Sequence, residues 1–259
     1  MFLFGVLSLF QVVFLPGAIV LKLFNIRVNI TQKIVYTFAL SLITNYLMVL
    51  IWVMCGLYTR TNVLVVFIFE IIILLYIYKN WFFKKNIIGS IKNREFEIFN
   101  DLRNKFSSNE TGIKEFRKFL VIVVLGVFFI FIFIGNIGSI FEHWDPVVSW
   151  NRWAIDWFNG IYPRQTWHYP QLLPANWSLS YVFIGKPLQF FPKSIMPLFT
   201  IFLIIFVLNY SLENNDKYYF WGISIYFFMI FSGGKFEKHI CSGYAELPVI
   251  FFSTIAILT

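Results

Sequence analysis

The sequence predicts an all-α protein, a polytopic transmembrane helix bundle of about seven spans with amphipathic juxtamembrane helices in the first large outside loop. Of the 259 residues, 59% are hydrophobic and only 13% are charged, whereas soluble domains are about 45–50% apolar and about 25% charged. Apolar runs long enough to cross a bilayer recur along the chain, and a basic stretch between them has the composition of a cytoplasmic loop. These observations exclude an ordinary soluble domain and a disordered chain.

The apolar runs define the candidate spans, because each transmembrane helix needs about 20 predominantly apolar residues. The candidate runs are residues 1–24, 34–56, 62–83, 119–140, 194–210 and 218–231, and a last run that begins near residue 246. No basic region precedes the first run, so we expect a retained helix kinked at Pro16 and no cleaved signal peptide.

Basic residues indicate how the chain is oriented in the membrane. The stretch 84–118 holds nine basic and five acidic residues, and the whole chain has a net charge of +8. Cytoplasmic loops collect Lys and Arg, so we place this stretch inside and attribute the charge to topology, with no nucleic-acid partner. We therefore expect a three-span accessory bundle (1–83), a cytoplasmic basic loop (84–118) and a catalytic membrane region (119–259), with the N-terminus and the segment after residue 140 outside.

The outside segment, residues 141–193, is rich in aromatic side chains that favour the membrane interface. It contains six of the nine tryptophans: Trp144, Trp150, Trp153, Trp157, Trp167 and Trp177. The spacing of Trp150, Trp153 and Trp157 predicts an in-plane amphipathic helix.

A second amphipathic helix is predicted to start after Pro174, with Trp177, Tyr181 and Ile184 on one side. The same residues could form part of a full span across 170–185, which would invert the topology of everything downstream. Both arrangements remain open from the sequence.

Acidic residues on the outside face are the candidate catalytic groups. Asp145 follows the fourth span in the series Glu142-His143-Trp144-Asp145-Pro146, where Trp144 and Trp150 are expected to desolvate it partly. A carboxylate there could act as a general base, or it could simply stabilise a helix start. Glu246 lies at the end of a second polar connection and has the same two interpretations.

Three short motifs resemble the GT-C superfamily of polytopic membrane glycosyltransferases, which includes the protein O-mannosyltransferases and the aminoarabinose transferases of lipid A. The motifs are WDPVVSWNRWA (144–154), YPQLLP (169–174) and GYAELP (243–248). In that family an essential carboxylate follows a transmembrane helix in the first outside loop, the position of Asp145. The third motif departs from the family's pattern, because Glu246 stands where Asp is commoner.

The resemblance implies transfer of a sugar from a polyprenyl-phosphate donor to a glycan, lipid or protein acceptor at the outer face of a bacterial or archaeal cell membrane. Asp145 is then the expected catalytic base, with Glu246 and Glu142 as further acids. Cations suited to the donor phosphate are Arg152, Arg164, His168, Lys235, Lys238 and His239. Their alternative role is contact with lipid headgroups. The aromatic residues expected to line the substrate groove are Trp144, Trp150, Tyr169 and Tyr244.

No sequence motif indicates a protein metal site, since neither HExxH nor paired Cys/His spacing occurs. A divalent cation, Mg²⁺ or Mn²⁺, bridging Asp145 and a lipid phosphate is the candidate cofactor. Cys55 and Cys241 are expected at different depths, which argues against a disulfide.

Other function classes remain open beside the transferase. Glu70 lies inside the third span, where an ionisable residue suggests a proton site of a transporter or flippase for a lipid-linked sugar. A hydrogen bond between helices, with partners such as Thr44 or Asn45, is the structural alternative. A non-catalytic membrane scaffold is a third possibility. The last apolar run has only 14 residues, so we expect the chain to be the N-terminal part of a longer enzyme.

Overall fold

The computed structural model describes residues 1–26, 28–82, 127, 139–164, 166, 169–214, 240 and 242–258. Within these residues every regular element is helical and no strand occurs, as the sequence predicted. The helices are α1 (Phe2–Val13), α2 (Leu15–Leu23), α3 (Ile30–Met54), α4 (Arg60–Phe82), a π-helical turn (Pro146–Asn151), α5 (Arg152–Phe158), α6 (Leu172–Ile184), α7 (Phe190–Asn214) and α8 (Glu246–Leu258).

Four segments of the described chain are long and apolar enough to cross a membrane: Phe2–Leu23, Ile30–Met54, Arg60–Lys79 and Phe190–Tyr210. They confirm the predicted runs 1–24, 34–56, 62–83 and 194–210 as apolar helices of spanning length. The predicted spans 119–140 and 218–231 lie outside the described residues, apart from Val127, Ser139 and Ile140. Helix α8 is apolar but has only 13 residues, fewer than the roughly 20 that a full span needs.

The chain forms two compact units, one of residues Met1–Leu74 with Asn136–Thr259 and one of residues Leu75–Gly135. The described part of the second unit is the end of α4 and Val127. The first unit contains both the predicted accessory spans and the predicted catalytic region, so all the contacts discussed below lie within it.

The first span bends at Phe14, where α1 ends and α2 begins, two residues before the expected kink at Pro16. Proline cannot donate to the carbonyl four residues earlier, which leaves the Val12 carbonyl without its helical partner. The Asn45 side chain of α3 lies across this gap, with its Nδ2 3.3 Å from the Gln11 carbonyl and 3.5 Å from that of Val12. A neighbouring helix thus satisfies the backbone that the bend exposes.

Glu70 of α4 has a different partner from the residues expected. The Gln11 side chain of the first span lies close to the Glu70 carboxyl, and Gln11 Nε2 donates a 3.1 Å hydrogen bond to Asn45 Oδ1. The expected contact between helices thus involves Gln11 of the first span, and Asn45, one of the partners named for it, bonds Gln11 and backbone carbonyls instead.

Helices α2 and α3 pack closely at Gly17. A methyl group on Gly17 would lie 1.9 Å from the Thr37 carbonyl oxygen, and the Gly17 N–H donates a 2.9 Å hydrogen bond to Ser41 Oγ. Small residues that allow close backbone approach are a main source of helix association in membranes.

We expect Gly17→Ala to destabilise the protein by about 3 kcal/mol, because overpacking against a backbone atom forces the two helices apart. Ser41→Ala is the matched control: it removes the hydrogen bond without adding volume and costs about 1 kcal/mol. Thermal unfolding in detergent measures both. Equal stability of the Gly17→Ala variant and the wild type would contradict the close approach.

Helix α6 is the centre of the first unit. Residues 173–184 are all buried, and the helix packs against α1, α3, α5 and α7. The expectation of an amphipathic helix with one apolar side is wrong, because protein surrounds α6 and leaves no polar face toward water. Its polar side chains meet partners on other elements instead: Ser180 Oγ to Ser8 Oγ at 3.0 Å, Asn176 Nδ2 to the Leu42 carbonyl at 3.0 Å, and Ser178 Oγ to the Tyr58 hydroxyl at 2.8 Å.

Candidate functional site

The three predicted catalytic acids, Asp145, Glu142 and Glu246, all have exposed side chains. Asp145 precedes the π-helical turn, and its carboxylate makes no capping hydrogen bond to that turn. Asp145 thus lies at a helix start, as its structural alternative expected, where the helix dipole favours a negative charge but no side-chain cap is formed. Glu246 occupies the first turn of α8.

The expected desolvation of Asp145 by two tryptophans is also wrong. Trp144 is itself 76% exposed, whereas Trp150 is buried at 5% exposure. The π-helical turn, which packs against α6, carries Trp150 into the interior while the preceding residues remain at the surface. The Asp145 side chain is thus open to solvent.

The two motifs that carry the predicted acids contact each other. The His143 and Tyr244 rings lie 5.6 Å apart between centroids. Gly243 has a φ of +94° and sits against Phe141, so that a methyl group there would lie 2.8 Å from the ring and 3.2 Å from Pro146. Residues far apart in sequence thus bring the Asp145 and Glu246 segments to one surface region.

A polar cleft of about 440 Å³ opens beside these segments, between α5 and the loop that follows it. Two of the predicted phosphate ligands, Arg152 and Arg164, line it together with Asp156, Trp153 and Tyr162. The Arg152 and Arg164 side chains are exposed, and Asp156 is half-buried. Neither arginine forms an ion pair with any of the described acids, which leaves both guanidinium groups available to an anion.

A separate apolar groove of about 250 Å³ is lined by the π-helical turn at Trp150 and by parts of α6 and α8. Trp150 lines it with the start of α6, at Leu172 and Leu173, and with the α8 residues Val249 and Phe252. Such a groove has the shape and chemistry to hold a hydrocarbon chain.

An aromatic pair separates the cleft from the groove. Trp153 lines the polar cleft and Trp150 lines the apolar groove, and their rings are in edge contact at 5.1 Å. Tyr169 contacts Trp150 at 5.4 Å and is 54% exposed. Of the four residues predicted to form a substrate groove, Trp150 and Tyr169 thus lie together, whereas Trp144 points to the surface and Tyr244 meets His143.

Two buried hydrogen bonds hold the π-helical turn and α5 against α6 and its N-cap residue, Gln171. The sequence predicted neither of them. The Tyr181 hydroxyl donates to Asn151 Oδ1 at 2.5 Å, and Trp157 Nε1 donates to Gln171 Oε1 at 3.2 Å. Burial raises the pKa of the Tyr181 hydroxyl, which keeps it protonated as a donor.

We expect Tyr181→Phe to destabilise the protein by about 1–3 kcal/mol, because Asn151 Oδ1 would be left buried without its donor. Arg152 should then bind anions less tightly, since Asn151 directly precedes it. Thermal unfolding gives the first effect and phosphate titration the second. A variant that unfolds at the wild-type temperature would exclude a stabilising role for this bond.

The remaining predicted phosphate ligands, His168, Lys235, Lys238 and His239, lie outside the described residues. Within the described part of the chain, no three His, Cys, Asp or Glu side chains converge on a metal position. Asp156 was missed, although it follows Arg152 by four residues and so shares a helix face with it.

A scan against protein-family models and searches of curated proteins and of solved structures found no match to this chain. A functional assignment therefore depends on the residues and their geometry.

Proposed function

We propose that the protein is an integral membrane glycosyltransferase of GT-C type, which moves a sugar from a polyprenyl-phosphate donor to an acceptor at the outer face of a bacterial or archaeal cell membrane. One observation carries this proposal: an arginine-lined cleft and an apolar groove lie on either side of the Trp150–Trp153 pair. A ligand that fills both must have an anionic head and a hydrocarbon tail. A lipid-linked sugar phosphate has this chemistry.

Each residue of the site has its own role in the proposed sugar transfer. Arg152 and Arg164 hold the donor phosphate, with guanidinium geometry suited to phosphate oxygens. The groove beside Trp150 takes the first part of the prenyl chain. Asp145 accepts the proton of the acceptor hydroxyl as its oxygen bonds to the anomeric carbon. The bond from that carbon to the phosphate oxygen breaks, and the carrier phosphate leaves with the electron pair.

The contact between the Asp145 and Glu246 segments supports a second acid at the same surface. Glu246 and Glu142 are both exposed and can bind sugar or acceptor hydroxyls. A divalent cation, Mg²⁺ or Mn²⁺, would lower the charge repulsion between Asp145 and the donor phosphate. The acceptor is a glycan, lipid or protein hydroxyl.

Purified protein in lipid nanodiscs, given a polyprenyl-phosphate sugar and acceptor hydroxyls, tests the proposal. We expect release of polyprenyl phosphate together with a glycosylated acceptor. Binding of the donor without turnover would favour the transporter or the scaffold. Loss of transport in a Glu70→Gln variant would then select the transporter.

Cysteine labelling tests the proposed orientation. In a Cys55→Ser background, which removes the exposed cysteine of the described chain, we expect Cys241 to react with a membrane-impermeant maleimide added from outside. Inverted vesicles provide the control. Labelling of Cys241 only from the cytoplasmic side would overturn the outside placement of Glu246, and with it the proposed mechanism.

A further inference from the structure

The carboxylate that lines the polar cleft is that of Asp156, which takes no part in the proposed sugar transfer. Asp156 lines the cleft with Arg152 and Arg164, whereas Asp145 and Glu246 are not among its lining residues. Arg152 and Asp156 lie four residues apart on α5, yet the two do not form an ion pair within the described chain. The carboxylate therefore faces the cleft with its acceptor oxygens unused by either arginine.

The composition of the cleft indicates what it binds. Two guanidinium groups and one carboxylate give a net charge of +1, which favours an anionic ligand. Asp156 would repel a bare anion. Hydroxyl groups beside the anionic group of a ligand would instead donate hydrogen bonds to the Asp156 carboxylate. The Trp153 and Tyr162 side chains offer apolar ring surface to the C–H groups of a polyol.

We propose that this cleft binds a phosphate ester that also carries hydroxyl groups, with Arg152 and Arg164 on the phosphate and Asp156 on the hydroxyls as the residue that selects such esters over bare phosphate. Only the binding of the phosphate by Arg152 and Arg164 rests on the proposed function. The ester could be a soluble sugar phosphate or the headgroup of a lipid such as phosphatidylglycerol, since both present a phosphate ester beside hydroxyl groups.

Calorimetric titration of the full chain in phosphatidylcholine nanodiscs tests this assignment. We expect glucose 1-phosphate to bind about tenfold more tightly than inorganic phosphate, a difference typical of a hydrogen bond to a charged group. Asp156→Asn should abolish that preference by weakening glucose 1-phosphate alone. Arg152→Met and Arg164→Met should each weaken both ligands. Lys186→Met, which removes one exposed charge outside the cleft, is the matched control and should weaken neither.

Repeating the titration in nanodiscs that contain phosphatidylglycerol distinguishes a soluble sugar phosphate from a lipid headgroup as the ligand. Competition with glucose 1-phosphate identifies a lipid headgroup as a ligand of the cleft, and its absence identifies the soluble ester. The assignment is overturned if the wild type binds neither ligand or if the Asp156→Asn variant keeps the preference. Because binding needs no turnover, this experiment can succeed even where sugar transfer is not found.

Discussion

The Asp145→Asn variant is expected to lose sugar transfer, with kcat reduced by about 10²–10⁴-fold, the usual contribution of a positioned general base. Asparagine keeps the size of the side chain but cannot accept the hydroxyl proton. The protein should remain folded, because Asp145 is exposed and makes no capping hydrogen bond. Release of polyprenyl phosphate from a labelled donor measures the effect, and size-exclusion chromatography and thermal unfolding check the fold.

Two comparisons make this result specific to Asp145. Glu142→Gln and Glu246→Gln remove neighbouring exposed acids, and we expect smaller losses from both. Lys186→Met changes a surface charge outside the site and should transfer sugar at the wild-type rate. Full activity of the Asp145→Asn variant would remove Asp145 from the mechanism, and a large loss in Glu70→Gln alone would favour the transporter.

The Gly243→Ala variant is expected to lose about 2–4 kcal/mol of stability, since it combines strain at positive φ with overpacking. Its added methyl group would collide with the Phe141 ring at 2.8 Å. The collision should push apart the segments that carry Asp145 and Glu246, so activity should fall further than the loss of stability alone would explain. Thermal unfolding and sugar transfer, measured at a temperature where the variant is folded, separate the two effects.

Gly160→Ala is the matched control for this prediction. Gly160 also has a positive φ, +72°, but no atom lies within 4 Å of the position that a methyl group would take. This variant should show the backbone strain alone, about 1–2 kcal/mol. Phe141→Leu in the Gly243→Ala background should recover part of the lost activity. Equal effects at the two glycines would show that the contact with Phe141 is unimportant.

Composition and periodicity were sufficient to predict the helical class and four of the apolar helices. This succeeded because a long apolar run such as Ile30–Met54, with Lys33 as its single charged residue, has few stable conformations other than a helix in a membrane. The sequence also placed Asp145 and Glu246 on the same membrane face. The contact between the His143 and Tyr244 rings brings the two segments together.

The surroundings of individual side chains were much harder to predict. The tryptophan pattern alone could not show that Trp150 turns inward while Trp144 remains exposed, because the π-helical turn changes the angle between successive side chains. Nor could the sequence reveal that α6 is buried on every side, since its apolar and small polar residues suit an interfacial helix equally well. Asp156 was overlooked for a similar reason, because the sequence does not show that the loop residues 161–164 line one cleft with α5.

The central position of α6 has a consequence for how the protein is made. Asn176, Ser178 and Ser180 form hydrogen bonds with groups that emerge earlier from the ribosome, on α1, on α3 and at Tyr58. Without those groups the Ser180 hydroxyl would lose its partner, and Asn176 and Ser178 would keep only their hydrogen bonds to the α6 carbonyls of Leu172 and Ala175. We therefore expect the first two spans and the Tyr58 connection to be in the membrane before α6 packs against them. A chain that begins after them should be inserted poorly and degraded, even though it retains Asp145, Asp156 and both arginines.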